Sequence, residues 1–148
     1  MSAQKYDARD CEFEVESDTP GTWVAIGGIN TFTKSRSSNN ADTTTFASNG
    51  DDEQQIMSRG KSMKLGGFRL MDPDTGALDA GQAIVEAWAD DKSDDSLRSF
   101  RFAAPGDTTW EVWTATAELD DEGGGSNDKV SWGVTITRSG ASTTAAKS

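Results

Sequence analysis

An alternation of apolar and polar side chains with a period of two recurs along this sequence and constrains its fold more than any other feature. In KVSWGVTITRS (129–139), every second residue from 130 to 136 is large and apolar. CEFEVE (11–16) sets Phe13 and Val15 against glutamates on the other side. Successive side chains of a β-strand point to opposite faces, so both segments are predicted to be half-buried strands.

Four more segments have strand composition: TWVAIGGI (22–29), SMKLGGFRLM (62–71), LRSFRFAAPG (97–106) and TTWEVWTATAEL (108–119). The first two contain a Gly-Gly pair, which predicts a bulge or a close approach of two backbones. On the last strand, Trp110 and Val112 are assigned to the core face. The pattern predicts a mainly β fold of two packed antiparallel sheets, arranged as a β-sandwich or barrel, with one flanking helix.

The one convincing helix is predicted at about 80–91, in AGQAIVEAWADD. Asp79 is a suitable N-cap residue, and Gln82 three positions later completes a capping-box pattern. Apolar residues within the segment recur at helical spacing. The predicted core stripe of this helix comprises Ile84, Val85 and Trp88.

A long polar segment separates two of the apolar strands, from Asn30 to Ser62. It contains few large apolar side chains and no proline, so it is predicted to be a loop. Most connections in compact domains span about 4–6 residues, and much longer ones are usually functional or disordered. The segment is therefore the first candidate for a functional region.

Charge and residue inventory exclude several classes of function. The 148 residues, enough for a single domain, carry 14 basic and 25 acidic side chains, a net charge of −11 that repels nucleic-acid phosphate. The absence of histidine removes Ser-His-Asp and Cys-His catalysis and the usual zinc sites. Cys11 is the sole cysteine and is expected to be a small buried or half-buried apolar residue. No apolar run is long enough to span a bilayer.

Three partial motifs have structural explanations. RGKS (59–62) ends like a phosphate-binding loop but lacks the earlier glycine and leads into a strand. DPDTGALD (72–79) resembles a calcium loop, but Gly76 stands where a third ligand is needed, so a turn is favoured. The many carboxylates have no spacing that singles out a catalytic pair. We therefore expect no enzyme activity, no catalytic residue, no metal site and no cofactor.

Five tryptophans leave a carbohydrate-binding module open as an alternative function. Four of them are assigned to core faces. Trp113 lies on the other face of its strand, where it could be exposed, covered by the helix or buried in a partner. An exposed aromatic ring there could form a sugar-binding platform.

The sequence resembles the tail tube proteins, or major tail proteins, of long-tailed double-stranded DNA bacteriophages. The resemblance extends from about Trp23 to Ser142, and its weight lies in the ordered set of segments. The segments that carry it are WVAIGGI, TTTFASNG, KLGGFRL, AGQAIVEAWADD, LRSFRFAAPG and VSWGVTITRSGAST.

This resemblance implies a structural subunit of the virion tail, made and assembled in the host bacterial cytoplasm. Such proteins form hexameric rings that stack into a hollow tube, through which DNA passes without specific binding. The expected partners are other copies of the chain, a tape-measure protein and a tail terminator. A siphophage-like tail is preferred, while a tail terminator or head–tail joining ring protein remains an alternative within the same fold.

The resemblance also assigns regions and residues. Within one domain (1–148), which begins with an N-terminal arm (1–10), it implies an inter-ring loop (30–62). The last residues have nothing to bury and are predicted to form a flexible C-terminal tail (139–148). The inter-ring loop residues are Asn40, Asp42, Thr43, Thr44, Thr45, Phe46, Asn49, Asp51 and Arg59. The acids that could line the channel, and so repel DNA, are Glu12, Glu14, Glu16, Glu111 and Glu118.

Overall fold

The computed structural model describes residues 3–147, which form one antiparallel sheet of eight strands and one α-helix. The helix α1 spans Ala80–Asp90 and matches the predicted helix. Hydrogen bonds order the strands as β2-β1-β5-β6-β7-β4-β3, and β8 pairs with β6. The mainly β fold with a flanking helix is confirmed. The strands are β1 (Glu12–Glu16), β2 (Trp23–Ala25), β3 (Ile29–Asp42), β4 (Gln54–Phe68), β5 (Arg98–Ala103), β6 (Thr109–Leu119), β7 (Ser131–Arg138) and β8 (Thr143–Ala146).

The strands form one continuous curled sheet, where the sequence predicted two packed sheets. β1 and β3 are far apart in the strand order, yet the ring centroids of Phe13 and Phe32 lie 5.1 Å apart. Lys34 Nζ, also on β3, lies 4.9 Å from the ring centroid of Phe102. Strand twist accumulates across a wide sheet and brings its two ends together. The sheet remains open, because β3 and β2 are its unpaired ends.

The hydrophobic core lies inside the curl, beneath α1. Val85 and Trp88 of the helix are buried, and Ile84 is half-buried against the same cluster. Trp88 Nε1 donates a hydrogen bond of 2.6 Å to the carbonyl of Ser96. The fully buried strand residues of this core are Val15, Met63, Leu65, Phe100, Trp113, Ala115, Trp132, Val134 and Ile136.

The core face of β6 is the opposite of the predicted one. Trp113 is fully buried and is aligned with Phe100 of β5. Trp110 faces the other side of the sheet, where the guanidinium of Arg101 lies 4.3 Å from its ring centroid. Both faces of β6 carry a tryptophan, so alternation within the strand alone could not decide its orientation.

The predicted loop over 30–62 is largely a β-hairpin. β3 and β4 pair from Ile29, opposite Gly67, to Asp42, opposite Gln54. Only residues 43–53 connect the strands. The alternation that identifies strands requires one buried face, and the outer part of this hairpin has none, because both its faces are largely exposed.

The C-terminal segment, predicted as a flexible tail over 139–148, contains β8. This strand pairs with β6 next to the end of β7, and Lys147 N donates to the carbonyl of Thr108 at 2.8 Å. The pairing of β8 with β6 depends on backbone hydrogen bonds. The small side chains of β8 show no alternation that would have predicted a strand. In the predicted N-terminal arm, the part from residue 3 to residue 10 is exposed and contains a short 3-10 turn at Ala8–Asp10. Met1, Ser2 and Ser148 lie outside the described residues.

Gln82 joins the helix to two strand ends through a fully buried side chain. Its Oε1 accepts a hydrogen bond from Leu70 N (3.0 Å), and its Nε2 donates to the carbonyls of Gly27 (2.9 Å) and Phe68 (2.8 Å). Asp79 caps the helix as predicted, because its Oδ2 accepts from Gln82 N at 3.3 Å. The same oxygen accepts from Gly27 N at 3.1 Å. The Gln82 side chain therefore forms hydrogen bonds with the strand ends and does not complete a capping box.

Glycines allow the backbones around this network to touch. A methyl group at Gly67 would overlap the carbonyl of Gly28, which itself has a φ of 77°. A methyl group at Gly81 would overlap the carbonyl of Ala25, where the helix crosses β2. The close approach predicted from the Gly-Gly pairs is confirmed.

Substituting Gln82→Met should strongly destabilise the protein. Methionine keeps the length of the side chain, but it leaves the amide of Leu70 and the carbonyls of Gly27 and Phe68 without partners. At about 1–3 kcal/mol for each unsatisfied group, we expect the free energy of unfolding to fall by at least ~3 kcal/mol in urea titrations. The control Gln55→Met, on the exposed part of β4, should change it by less than about 0.5 kcal/mol. Equal effects of the two variants would contradict the structural role of Gln82.

Candidate assembly surfaces

The outer part of the β3–β4 hairpin projects beyond the rest of the sheet. β4 pairs with β7 only as far as Ser62, opposite Thr137. Beyond that point, residues 36–42 and 54–61 pair only with each other. We call residues 36–61 the arm. Eight residues of extended strand give it a reach of about 27 Å, and an isolated two-stranded hairpin is at best marginally stable in water. The arm is therefore suited to a partner outside the chain.

The tip of the arm, residues 43–53, is folded by its own hydrogen bonds. Thr44 N donates to Asp42 Oδ1 at 2.9 Å, and Thr44 Oγ1 accepts from Glu53 N at 2.8 Å. Thr45 and Ser48 form a reciprocal capping box around a 3-10 turn. This turn holds Phe46 fully exposed to solvent. The predicted inter-ring loop residues thus lie in an ordered tip, except Asn40, Asp42 and Arg59, which lie on the strands leading to it.

β3 leaves a long backbone edge without a partner among the described residues. It is the last strand in the sheet order, and its 14 residues include no proline. At the opposite end of the sheet, β2 offers a second edge of 3 residues. Long unpaired edges are templates for pairing with another chain. The fold therefore presents two edges that a copy of itself could use.

Basic side chains share one face at the base of the arm. Arg36 is paired with Lys61, and Arg59 lies two residues before Lys61 on the same face of β4. Within residues 3–147, neither Arg36 nor Arg59 has a carboxylate in ion-pair range. Arg59 was among the predicted inter-ring residues, whereas Arg36 was not. The alternation of basic and hydroxyl side chains in KSRSS (34–38) could have predicted that Arg36 shares a strand face with Lys34.

Glu111, predicted as a channel acid, lies on the core side of the sheet. Its Oε2 accepts a hydrogen bond from Trp113 Nε1 at 2.7 Å. Its carboxylate oxygens lie 3.6 Å from Lys34 Nζ and 3.5 Å from Lys61 Nζ. Burial alone would raise the pKa of Glu111, but the Trp113 hydrogen bond and the two lysines outweigh it and lower the pKa. We call Glu111, Trp113, Lys34 and Lys61 the Glu111 cluster. It anchors the base of the arm, and its two lysines offset the negative charge of Glu111.

The face of the sheet opposite the core is rich in hydroxyl groups. Strand alternation and register bring short Ser and Thr side chains from β3, β4, β6 and β7 onto it. Such side chains offer hydrogen bonds without a net charge. The hydroxyl residues of this face, which we call the polar face, are Thr31, Thr33, Ser35, Ser62, Thr114, Thr116, Thr135 and Thr137.

The other four predicted channel acids lie on the polar face. Glu14 is paired with Arg101, and the Glu12 carboxylate lies 2.8 Å from Lys147 Nζ. Glu16 accepts a hydrogen bond from Gly21 N at 3.3 Å. Glu118 is exposed and has no ion pair within the described part of the chain. The structure brings these acids to one face but neutralises two of them.

The features that suggested other functions have structural roles. Trp113 is fully buried, so it cannot form the proposed sugar-binding platform. RGKS lies inside strand β4, which excludes a phosphate-binding loop. Asp72 Oδ1 accepts a hydrogen bond from Asp74 N at 2.9 Å, as expected for a turn. Among residues 3–147, no group of three or more Cys, Asp or Glu could hold a metal ion. None of the described helices is long and apolar enough to cross a membrane.

Comparison with solved structures identifies the fold. The chain matches a component of the tail of an empty gene transfer agent (GTA) particle, determined with helical refinement and C6 symmetry. The TM-score is 0.70 and the identity 18%, covering 96% of this chain and 100% of that one. A component of the native GTA virion matches with a TM-score of 0.67 and 16% identity, over 96% and 100% of the two chains.

A third match is to the 6-fold symmetrised baseplate of the anti-feeding prophage, with a TM-score of 0.64 and 11% identity over 99% of this chain and 98% of that one. No family model and no curated protein sequence matches this chain. The fold is thus that of tail tube-type proteins, and the resemblance seen in the sequence is confirmed at the level of the fold.

Substituting Glu111→Gln should weaken the attachment of the arm. The glutamine oxygen can still accept from Trp113, so the change isolates the charge facing Lys34 and Lys61. At pH 7 we expect a loss of about 1 kcal/mol in the free energy of unfolding, after allowance for solvent screening.

The folded-state pKa of Glu111 is lowered, so its contribution is present above the ordinary carboxyl pKa and is lost as pH falls through the folded value. The difference from the wild type should therefore be smaller in urea titrations at pH 3 than at pH 7. Glu118→Gln, on the same strand, should have little effect at either pH. A constant difference at both pH values would show that the charge is not the cause.

Proposed function

We propose that this protein is the structural subunit of a phage-type tail tube. Copies would assemble into hexameric rings, and the rings would stack into a hollow tube that conducts DNA from capsid to host cell. The observation that carries this proposal is the arm, an ordered hairpin that contacts little of its own chain. The symmetric tail and baseplate assemblies that contain the same fold support it.

The free edges suit closure of a ring. In a closed ring, each copy would offer its long β3 edge to a neighbour, which would cover backbone that could otherwise cause irregular aggregation. The interface is heterologous, because the two ends of the sheet differ, and heterologous contacts close into rings when the rotation allows. C6 symmetry in the GTA tail makes six copies the expected number.

The polar face would line the channel. Its hydroxyl groups are uncharged, and its cations, such as Arg101 and Lys147, are already held by glutamates. The carboxylates of Glu16 and Glu118 form no ion pair within residues 3–147, and Arg98, which donates to the Glu16 carbonyl, pairs with Asp18. These two glutamates would therefore add negative potential to the wall. DNA phosphate would meet a wall that does not bind it, which allows the genome to slide.

The remaining roles follow from this assignment. The protein would act in the virion tail after assembly in the host cytoplasm, without enzyme activity or cofactor. Other copies, a tape-measure protein and a tail terminator would be its partners. A terminator or head–tail joining ring is the second candidate, but a ring that stops at one layer does not need an arm that reaches about 27 Å.

Electron microscopy of the purified protein at raised concentration, alone and with tail-tip seeds, tests the proposal. Hollow tubes built of stacked rings are the expected result. Single rings under all conditions would instead favour the terminator or joining protein. Monomers that stay inert even with seeds would contradict both assignments.

Replacing residues 43–53 with Asn-Gly should abolish stacking and spare the fold. Asp42 and Gln54 already face each other, so Asn-Gly closes the shortened hairpin with a favoured two-residue turn. We expect an unchanged free energy of unfolding, normal single rings and no tubes. The matched control replaces 123–127 in the exposed β6–β7 loop with Asn-Gly. Long tubes from the tip variant would rule out a role for the tip in stacking.

A further inference from the structure

A mostly apolar cavity opens beside the beginning of β3. Its volume is about 500 Å³. The 3-10 turn of the N-terminal segment forms part of its rim, next to the unpaired β3 edge. The apolar side chains that line it include Cys11, Phe13, Ile26, Ile29 and Phe32. Ile29 and Phe32 are only half-buried, so the cavity exposes apolar surface in the isolated chain.

An exposed aromatic side chain lies at the other end of the same strand. Phe46 is fully exposed, yet the Thr45–Ser48 capping box fixes the turn that carries it. A large apolar ring held rigidly in water is typical of an anchor that fills a pocket in a partner. The flanking Thr45 and Ala47 are small and leave room for a partner surface to close around the ring.

We propose that Phe46 of one copy inserts into this cavity of a second copy in the adjacent ring. The inference rests on the proposed tube and names the contact by which its rings stack. β3 extends about 43 Å from Ile29 to Asp42, so a copy cannot fill its own cavity. The contact is head-to-tail, and each copy that donates its Phe46 leaves its own cavity free for the next one. Such contacts propagate along an axis instead of closing on two copies.

The cavity and the tip are compatible in size and charge. A volume of about 500 Å³ accommodates a phenylalanine ring with part of its turn. The Phe13 and Phe32 rings, 5.1 Å apart, offer an aromatic wall. Glu12 and Glu14 at the rim are held by Lys147 and Arg101, which reduces repulsion of the acidic tip.

The sole cysteine supplies a direct test, because Cys11 lines the cavity. In Phe46→Cys, a short bis-maleimide should link the new thiol to Cys11 of the copy in the next ring. Links between rings produce a covalent ladder on a denaturing gel that continues beyond six subunits, whereas links within a ring stop at six. Burial, Asp10 and Asp107 raise the pKa of the Cys11 thiol, so the reaction is run at mildly alkaline pH.

Two matched variants define the expected ladder. The double variant Phe46→Cys with Cys11→Ser should give no ladder. The variant Gln55→Cys, at an exposed position of β4 in the arm, should give at most a faint one. If Phe46→Cys tubes are visible by microscopy but yield no ladder dependent on Cys11, the docking contact is overturned while the tube function stands. If the wild type forms no tubes with seeds, the proposed function itself has failed.

The wild-type protein provides a second readout that does not depend on the assembly of a variant. Phe46 in the cavity would cover Cys11, so maleimide should modify Cys11 at least tenfold more slowly in tubes than in monomers. Mixed tubes can be assembled from Phe46→Ala protein and an excess of wild type. In these tubes, copies whose cavity faces a Phe46→Ala tip should again be modified rapidly at Cys11. Equal rates in wild-type tubes and monomers would overturn the contact.

Discussion

The buried Gln82 side chain is the interaction on which the other parts of the structure depend. Its three hydrogen bonds fix the helix against the end of β4 and the start of β3, at the base of the long hairpin. Buried polar groups that are fully satisfied specify one arrangement, because any shift would leave a donor or acceptor unpaired. The position of the arm and the opening of the Phe13–Phe32 cavity both follow from this arrangement.

The arm and the rest of the domain are stabilised in different ways. The rest of the domain buries its apolar side chains beneath α1, whereas the arm is stabilised by backbone pairing and by the Glu111 cluster at its base. An ordered projection reduces the entropy lost when copies associate. Its exposed Phe46, the free β3 edge and the cavity at the beginning of β3 are all explained if the chain completes its contacts with copies of itself.

Sequence patterns identified strands wherever one face is apolar and the other polar, as in β1 and β7. For β6 they identified the strand but not its orientation, because Trp110 and Trp113 occupy opposite faces, and the register with Phe100 places Trp113 on the core side. They also failed for β3 and β8, whose pairing is a property of the backbone and leaves little trace in the side chains. The inter-ring role of residues in the tip was predicted from the resemblance, while Arg36 and the pairing of Glu111 with Lys34 became visible only in three dimensions.

The sequence by itself determined the mainly β class, the single helix with its Asp79 cap and Val85–Trp88 stripe, and the acidic surface. These properties depend on local periodicity, on capping chemistry and on composition. Only the tertiary structure decided that the sheet is one curled layer, that the polar segment is a projecting hairpin, and that four glutamates share the polar face while Glu111 does not. The reason is physical: the register between strands, the curl of a sheet and the compensation of a charge depend on residues far apart in the chain.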